Sequence, residues 1–227
     1  QDAIRSGSLH APRSRLVVIE QTSNLGGGAV WPLKQLEAVS KVARDHDLSL
    51  HMDGARLMNA VVATGVSAAK FSATVDSVWL DLSKGLGCPV GAVLSGSREF
   101  IHEAWRWKHR IGGAMRQAGI VAAAGSWALK HHVDRLAEDH ENAQLLAKRI
   151  SALDGVTLVN EKVETNMVFF DVSKTPLSAA EISARLREKG IWIGPFGEQK
   201  MRAVTHLDVR REDIIETSDA LADILVH

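Results

Sequence analysis

Two residues in this sequence have the type and the setting that covalent chemistry requires. The first is Lys84, in the run Asp81-Leu82-Ser83-Lys84-Gly85-Leu86-Gly87-Cys88-Pro89-Val90-Gly91. The segment Ser77-Val78-Trp79-Leu80 that leads into it has strand character, and Ala92-Val93-Leu94 beyond it reads as another strand. Glycines and a proline separate the two, so neither continues through the lysine. Lys84 is thereby carried off a sheet edge in a tight loop. An amine desolvated in such a loop is a nucleophile that forms Schiff bases. Taken alone, a Ser-Lys-Gly is more simply a surface lysine in a polar turn, so the case rests on a second stretch.

That stretch is Leu48-Ser49-Leu50-His51-Met52-Asp53-Gly54-Ala55-Arg56, a short apolar strand ending in an acid, a glycine and an arginine. A lysine and a carboxylate in this arrangement are the pair a pyridoxal phosphate enzyme needs. The amine holds the cofactor through its aldehyde, and the carboxylate keeps the pyridine nitrogen protonated so that the ring withdraws electrons. Asp53 precedes Lys84 by about 30 residues, the length of one strand plus its crossover. Both side chains can then reach one crevice at the carboxyl ends of neighbouring strands, where ligands of open α/β sheets bind.

Four segments, in order, carry a resemblance to a known family. His51-Met52-Asp53-Gly54-Ala55-Arg56-Leu57-Met58-Asn59-Ala60 resembles the aspartate motif of the L-threonine aldolases, and Leu82 through Gly91 resembles their lysine motif. Gly112-Gly113-Ala114-Met115-Arg116-Gln117-Ala118-Gly119 and Arg202-Ala203-Val204-Thr205-His206-Leu207-Asp208-Val209 resemble two later segments. The resemblance runs from about residue 16 onward and matches the C-terminal two-thirds of the low-specificity members, within the β-eliminating lyase family of fold-type I enzymes.

It implies an α/β fold of the aspartate aminotransferase type. A mostly parallel large domain would take residues 1–145 and a smaller α+β domain residues 146–227. It implies pyridoxal 5'-phosphate on Lys84, with Asp53, Arg56 and Thr22 as further cofactor contacts. Arg202 would bind the substrate carboxylate, with Arg56 as the second choice. The implied reaction is retro-aldol cleavage of an L-β-hydroxy-α-amino acid (threonine, allo-threonine or phenylserine) to glycine and an aldehyde. A homodimer or homotetramer with sites at subunit interfaces is also implied. In the family, a loop that grips the cofactor phosphate and a histidine that stacks on the ring lie upstream of these motifs, in a further third supplied from outside residues 1–227. His109 stands where the family commonly has lysine. The lysine–aspartate pair by itself also suits an aminotransferase or another β-eliminating lyase, and without the phosphate loop the chain suits a catalytically incomplete fragment.

The totals agree with a globular enzyme. The chain has 227 residues, 45% of them hydrophobic, and a formal net charge of zero, so composition gives no argument for nucleic acid or an anionic membrane as partner. The single cysteine, Cys88, excludes an internal disulfide and reads as a small residue in a turn. No run approaches a membrane span and no signal peptide opens the sequence, so the expected location is cytoplasmic.

Along the chain, Arg15 through Glu20 has strand length, and Gln21 through Val30 is a glycine-rich loop suited to close approach of a ligand. Pro32 opens a helix to about Asp47. Helices are expected at 57–64, 67–71 and 99–110, and strands at 76–82 and 91–95, the last antiparallel because the preceding loop is short. Trp105 and Trp107 read as core or subunit-contact area, and Arg106, Lys108, His109 and Arg110 as an anion-facing rim. His131, His132 and His140 read as solvated helix positions, since their spacing matches no zinc pattern. Short strands at 156–159, 166–171, 191–193 and 201–205 alternate with helices from Ser178 and Arg211, and Ser178 and Glu181 have capping-box spacing. His51, on the same strand face as Asp53, is a structural partner before it is a base, and His206 is a weaker case of the same kind.

Overall fold

A computed structural model describes residues 2–226. They form two compact units. The first runs to Thr22 and resumes over Trp31–His131; the second takes Ser23–Val30 and the described residues from His132 onward.

The first unit contains β1 (Leu16–Glu20), α1 (Leu33–Asp45), β2 (Ser49–Gly54), α2 (Leu57–Thr64), α3 (Ala68–Ser72), β3 (Ser77–Asp81), β4 (Ala92–Gly96), α4 (Arg98–Arg110) and α5 (Gly119–His131). The strands lie in sequence order, with β1–β2 and β2–β3 parallel and β3–β4 antiparallel. Helices bridge the two parallel steps, as parallel pairing requires, whereas residues 82–91 contain no helix and the chain turns straight back. Local signals set the ends. Pro32 caps α1, Gly65 ends α2 in the left-handed region at φ 70°, and the Ser67 and Ser97 hydroxyls cap α3 and α4.

In β2, Leu50, Met52 and Gly54 are buried, while Ser49, His51 and Asp53 alternate on the other, more open face. Leu36, Ala43, Met52 and Phe71 are all but inaccessible and form the core beneath the sheet. Their burial turns the chemistry-bearing side chains of β2 away from the core. The tryptophans of α4 are not core residues. The helix buries none of its residues, β4 is exposed at all five positions, and Trp105 and Trp107 are 55% and 57% accessible. With no layer packed over it in this unit, α4 has nothing to bury its indoles against.

The second unit contains α6 (Leu136–Ile150), β5 (Thr157–Leu158), β6 (Met167–Asp171), α7 (Ala179–Glu188), β7 (Gly194–Pro195), β8 (Lys200–Val204) and α8 (Arg211–Val226). Its antiparallel sheet has the order β5-β6-β8-β7. Leu146, Ile150, Val168, Phe170, Ile182, Leu186, Met201 and Leu221 fill the space between sheet and helices. The expected division at 145/146 would cut through α6, yet α6 belongs whole to this unit because its apolar face completes that core. The Ser178–Glu181 capping box is formed in both directions. No strand forms over Ile191–Ile193, because the Ile193 carbonyl is taken by the Ser183 hydroxyl at 2.7 Å; the strand begins one residue later.

The glycines of the glycine-rich loop are required by the packing of this unit. Its Gly26 and Gly28 carbonyls accept hydrogen bonds from Asn160 and Thr165 at 3.1 and 2.7 Å. A Cβ on Gly27 would collide with the Asn160 side chain, and Gly27 and Gly28 have φ of 75° and 80°. Among the described residues no helix is long and apolar enough to cross a membrane.

His140 is buried rather than solvated, and burial depresses its pKa from 6.5 to about 4. The unfolded chain therefore binds a proton at this residue that the folded chain refuses, so stability falls as pH drops from the unfolded value toward the folded one. At about pH 5 the loss attributable to His140 is roughly 2 kcal/mol relative to neutral pH. Urea unfolding at both pH values, compared with His140→Gln, measures it: the variant loses this part of the slope, while carboxylates such as Asp139 contribute equally to both proteins.

Candidate functional site

The strand register of the first unit places the predicted pair. Asp53 is aligned with Glu20 on one side and Trp79 on the other. Aligned residues of neighbouring strands project to the same face, and Asp81, two positions beyond Trp79, shares it. The Lys84 loop folds back over this face. Lys84 Nζ lies 5.5 Å from the centre of the Trp79 ring and 3.1 Å from Asp81 Oδ2. The amine thus stands over the strand residue aligned with Asp53.

Backbone bonds hold the loop shut. Leu82 N–H donates to Gly91 O at 3.0 Å, Cys88 N–H to Leu82 O at 2.9 Å, and Gly87 N–H to Lys84 O at 2.9 Å. Asp81 Oδ1 accepts from the Ser83 and Lys84 amides at 2.7 and 3.3 Å. Burial pushes the Asp81 carboxyl up, but the hydrogen bonds from Lys84 and Ser83 and the lysine charge outweigh it and hold the group below its ordinary value. Burial, helped by the Asp81 charge, pushes the Cys88 thiol up, so its nucleophilic thiolate form is disfavoured. Lys84 is not the desolvated amine expected from its loop: its side chain is 40% exposed and ion-paired.

Thr22 and Arg56 gather at the same end of β2. Gln21 N–H donates to Asp53 O at 2.8 Å, and Arg56 N–H donates to Gln21 O at 2.9 Å, which staples the end of β1 to the turn after Asp53. Thr22 is fully buried, and its hydroxyl has no hydrogen-bond partner among the described residues. Asp53 Oδ1 accepts from Ala55 N–H at 3.0 Å. His51 Nδ1 is 2.8 Å from the Ser77 hydroxyl on the aligned position of β3, which gives it a structural partner.

Arg202 belongs to the second unit, on β8. Its Nη1 donates to Asn24 Oδ1 at 2.9 Å, and its guanidinium lies 5.7 Å from the centre of the Phe196 ring, which Phe169 meets edge-on. His206 lies farther along the same segment, 3.5 Å from Asp208. His109 is exposed on α4 and meets the Trp105 ring edge-on. The structure therefore brings Thr22, Asp53, Arg56 and Lys84 together within the first unit and holds Arg202 in the second. Sequence reasoning gave no role to Trp79, Asp81 or Asn24. Asp81 and Trp79 sit three and five positions before the lysine, and their alternation along a strand was the signal.

The fold and this constellation place the chain in a class. It belongs to the beta-eliminating lyase family, which it matches over residues 1–174. It is 40% identical over 215 residues to the low specificity L-threonine aldolase of Escherichia coli, covering 95% of this chain and 62% of that protein. It is 38% identical over 209 residues to the low-specificity L-threonine aldolase 1 of Arabidopsis thaliana, covering 92% and 58%. The chain thus spans about three-fifths of the length of these relatives. In fold it is similar to threonine aldolase from Leishmania major, at TM-score 0.78 and 18% identity over 96% of this chain and 64% of the other. It is also similar in fold to an aspartate aminotransferase mutant from Thermus thermophilus, at TM-score 0.69 and 20% identity over 95% and 61%.

Family and fold are those of pyridoxal phosphate enzymes, and pyridoxal 5'-phosphate is the cofactor they imply. The residues present fit it. A primary amine and a carboxylate serve one sheet face, and a buried threonine hydroxyl without a hydrogen-bond partner among the described residues stands at the end of the neighbouring strand.

Gly54 fixes the spacing of this face. A Cβ at Gly54 would collide with the Trp79 carbonyl oxygen, a backbone atom that cannot swing aside. Gly54→Ala is expected to cost about 3 kcal/mol by forcing β2 and β3 apart, read as a lowered urea midpoint. An unchanged midpoint would show that the strands have room to spare at Asp53.

Proposed function

We propose that this chain acts in the pyridoxal phosphate-dependent cleavage of an L-β-hydroxy-α-amino acid, such as threonine, allo-threonine or phenylserine, to glycine and an aldehyde. The observation that carries the reading is the Lys84 amine standing over the sheet face that bears Asp53. The relatives named as threonine aldolases favour this reaction over transamination or β-elimination on the same pair of residues.

Lys84 would hold the cofactor through its aldehyde. Asp53 would keep the ring nitrogen cationic, with Thr22 and Arg56 as further contacts. The bound cofactor supplies an electron sink for the bond that breaks at the substrate Cα. Arg202 takes the substrate carboxylate. A guanidinium presents several N–H donors in a planar fork, and Asn24 occupies one nitrogen while the rest stay available for a bidentate contact. Pinning the carboxylate would orient the substrate Cα for the bond that breaks. Arg56 is the second candidate for that contact. His51, held by Ser77, orients its strand and does not serve as the base.

We also propose a homodimer or homotetramer and a cytoplasmic location. The exposed tryptophans of α4 and the uncovered face of β4 support an association surface.

Incubation with L-threonine and pyridoxal phosphate should give equal amounts of glycine and acetaldehyde. Arg202→Ala should raise KM by about thirty-fold, the loss of one charged hydrogen-bonded contact of roughly 2 kcal/mol, with a smaller change in kcat. A keto acid in place of glycine would contradict the aldolase reading and favour the aminotransferase.

A further inference from the structure

Asp81 is more than the end of a strand. One carboxylate oxygen shapes the turn by accepting from the Ser83 and Lys84 amides, and the other lies 3.1 Å from Lys84 Nζ. The Asp81 side chain is 10% exposed and the lysine 40%, so the acid is the fixed member of the pair and the amine the mobile one. The Trp79 ring lies 5.5 Å from the same nitrogen, and an aromatic face also favours a cation. An ion-paired ammonium has its lone pair on a proton and is not a nucleophile. This loop therefore carries a device that works against the capture of an aldehyde and for the release of the lysine.

We infer that Asp81 is the counter-ion and positioning residue of Lys84: it pairs with the lysine whenever the amine is not bonded to an aldehyde carbon, and so favours passing the cofactor to the amino group of a substrate. The inference rests on the reading of Lys84 as the cofactor lysine. The exchange balances without any oxidant or reductant. The bond between Lys84 Nζ and the aldehyde carbon breaks as one forms between that carbon and the substrate nitrogen. With the carbon–nitrogen double bond protonated before and after, the substrate arrives as an ammonium and gives up two protons, and the lysine nitrogen gains two and leaves as an ammonium beside Asp81. Total charge is unchanged. Trp79 holds the departing side chain on the face of Asp53, from which it can return.

The test needs a variant that removes charge and keeps the turn. In Asp81→Asn the amide oxygen still accepts from the Ser83 and Lys84 backbone. The purified chain is methylated with formaldehyde and cyanoborohydride at neutral pH, and the rate at each lysine is read by peptide mass. Lys130, exposed and without an ion pair among the described residues, is the internal reference. The Lys84/Lys130 rate ratio is expected to rise about three-fold in the variant, as suits a half-exposed pair. In the wild type the same ratio should rise when salt is raised from about 0.01 M to about 1 M, because screening weakens the pair. An unchanged ratio in either experiment overturns the ion-pair role, and the salt series needs no mutation to fold. In protein loaded with pyridoxal phosphate, the equilibrium for displacement of Lys84 by glycine should be about three-fold less favourable in Asp81→Asn; equal displacement would overturn the hand-over role. Trapping of the cofactor on a lysine other than Lys84 would overturn the reading of Lys84 alone, since the methylation ratio reports on the ion pair independently.

Discussion

The close pairing of β2 with β3 is the constraint on which the site depends. Asp53 and Trp79 are aligned across it, and the glycine after Asp53 lets the two backbones approach as far as they do. Because side chains alternate along a strand, that one register decides that Asp53, Trp79 and Asp81 share a face while Leu50 and Met52 anchor the opposite one in the core. A slip of one residue would bury the acid and leave the lysine loop over apolar side chains. The loop from Leu82 to Gly91 then has only to return the lysine over a face already made. It does so with its own backbone bonds and with Asp81, which closes the turn and holds the amine.

This division between a rigid face and a returning loop explains the chemistry assigned to each part. Asp53, the carboxylate proposed to serve the cofactor ring, lies within a strand, where the sheet fixes it. Lys84, the amine proposed to bond, leave and return, lies on a loop at the end of a flexible four-carbon stem. Arg202, the proposed carboxylate-binding residue, is set by different means: Asn24 takes one of its nitrogens and Phe196 lies against its face. In both places an acceptor from a turn orients a long cationic side chain that would otherwise sample many rotamers.

Much of this was legible in the sequence because it is local. The strand–loop–strand punctuation around Lys84, the stop at Gly65, the capping box at Ser178 and Glu181, and the antiparallel return of β4 all follow from residue types a few positions apart. What was misread or missed depends on partners distant in the chain. The glycine-rich loop read as a turn that lets the backbone approach a ligand, and spacing did not show that its glycines at 27 and 28 also answer to Asn160 and Thr165, over a hundred positions away. His140 looked solvated because its helix is rich in charge, yet it lies on the side that the second unit buries. Trp105 and Trp107 read as core or subunit-contact area, and no local rule could tell that they lie exposed on their own unit rather than in its core. Asp81 escaped notice because its importance comes from the direction in which Lys84 folds back, which spacing does not specify.

The central claim is that Lys84, and no other lysine, is the amine that holds the cofactor over the face bearing Asp53. The most direct measurement is to incubate the purified chain with pyridoxal phosphate, reduce it with borohydride and map the modified peptide by mass. The account predicts one phosphopyridoxyl group on Lys84, absent in Lys84→Ala. Modification spread over several exposed lysines, or retained at equal level in Lys84→Ala, would contradict it.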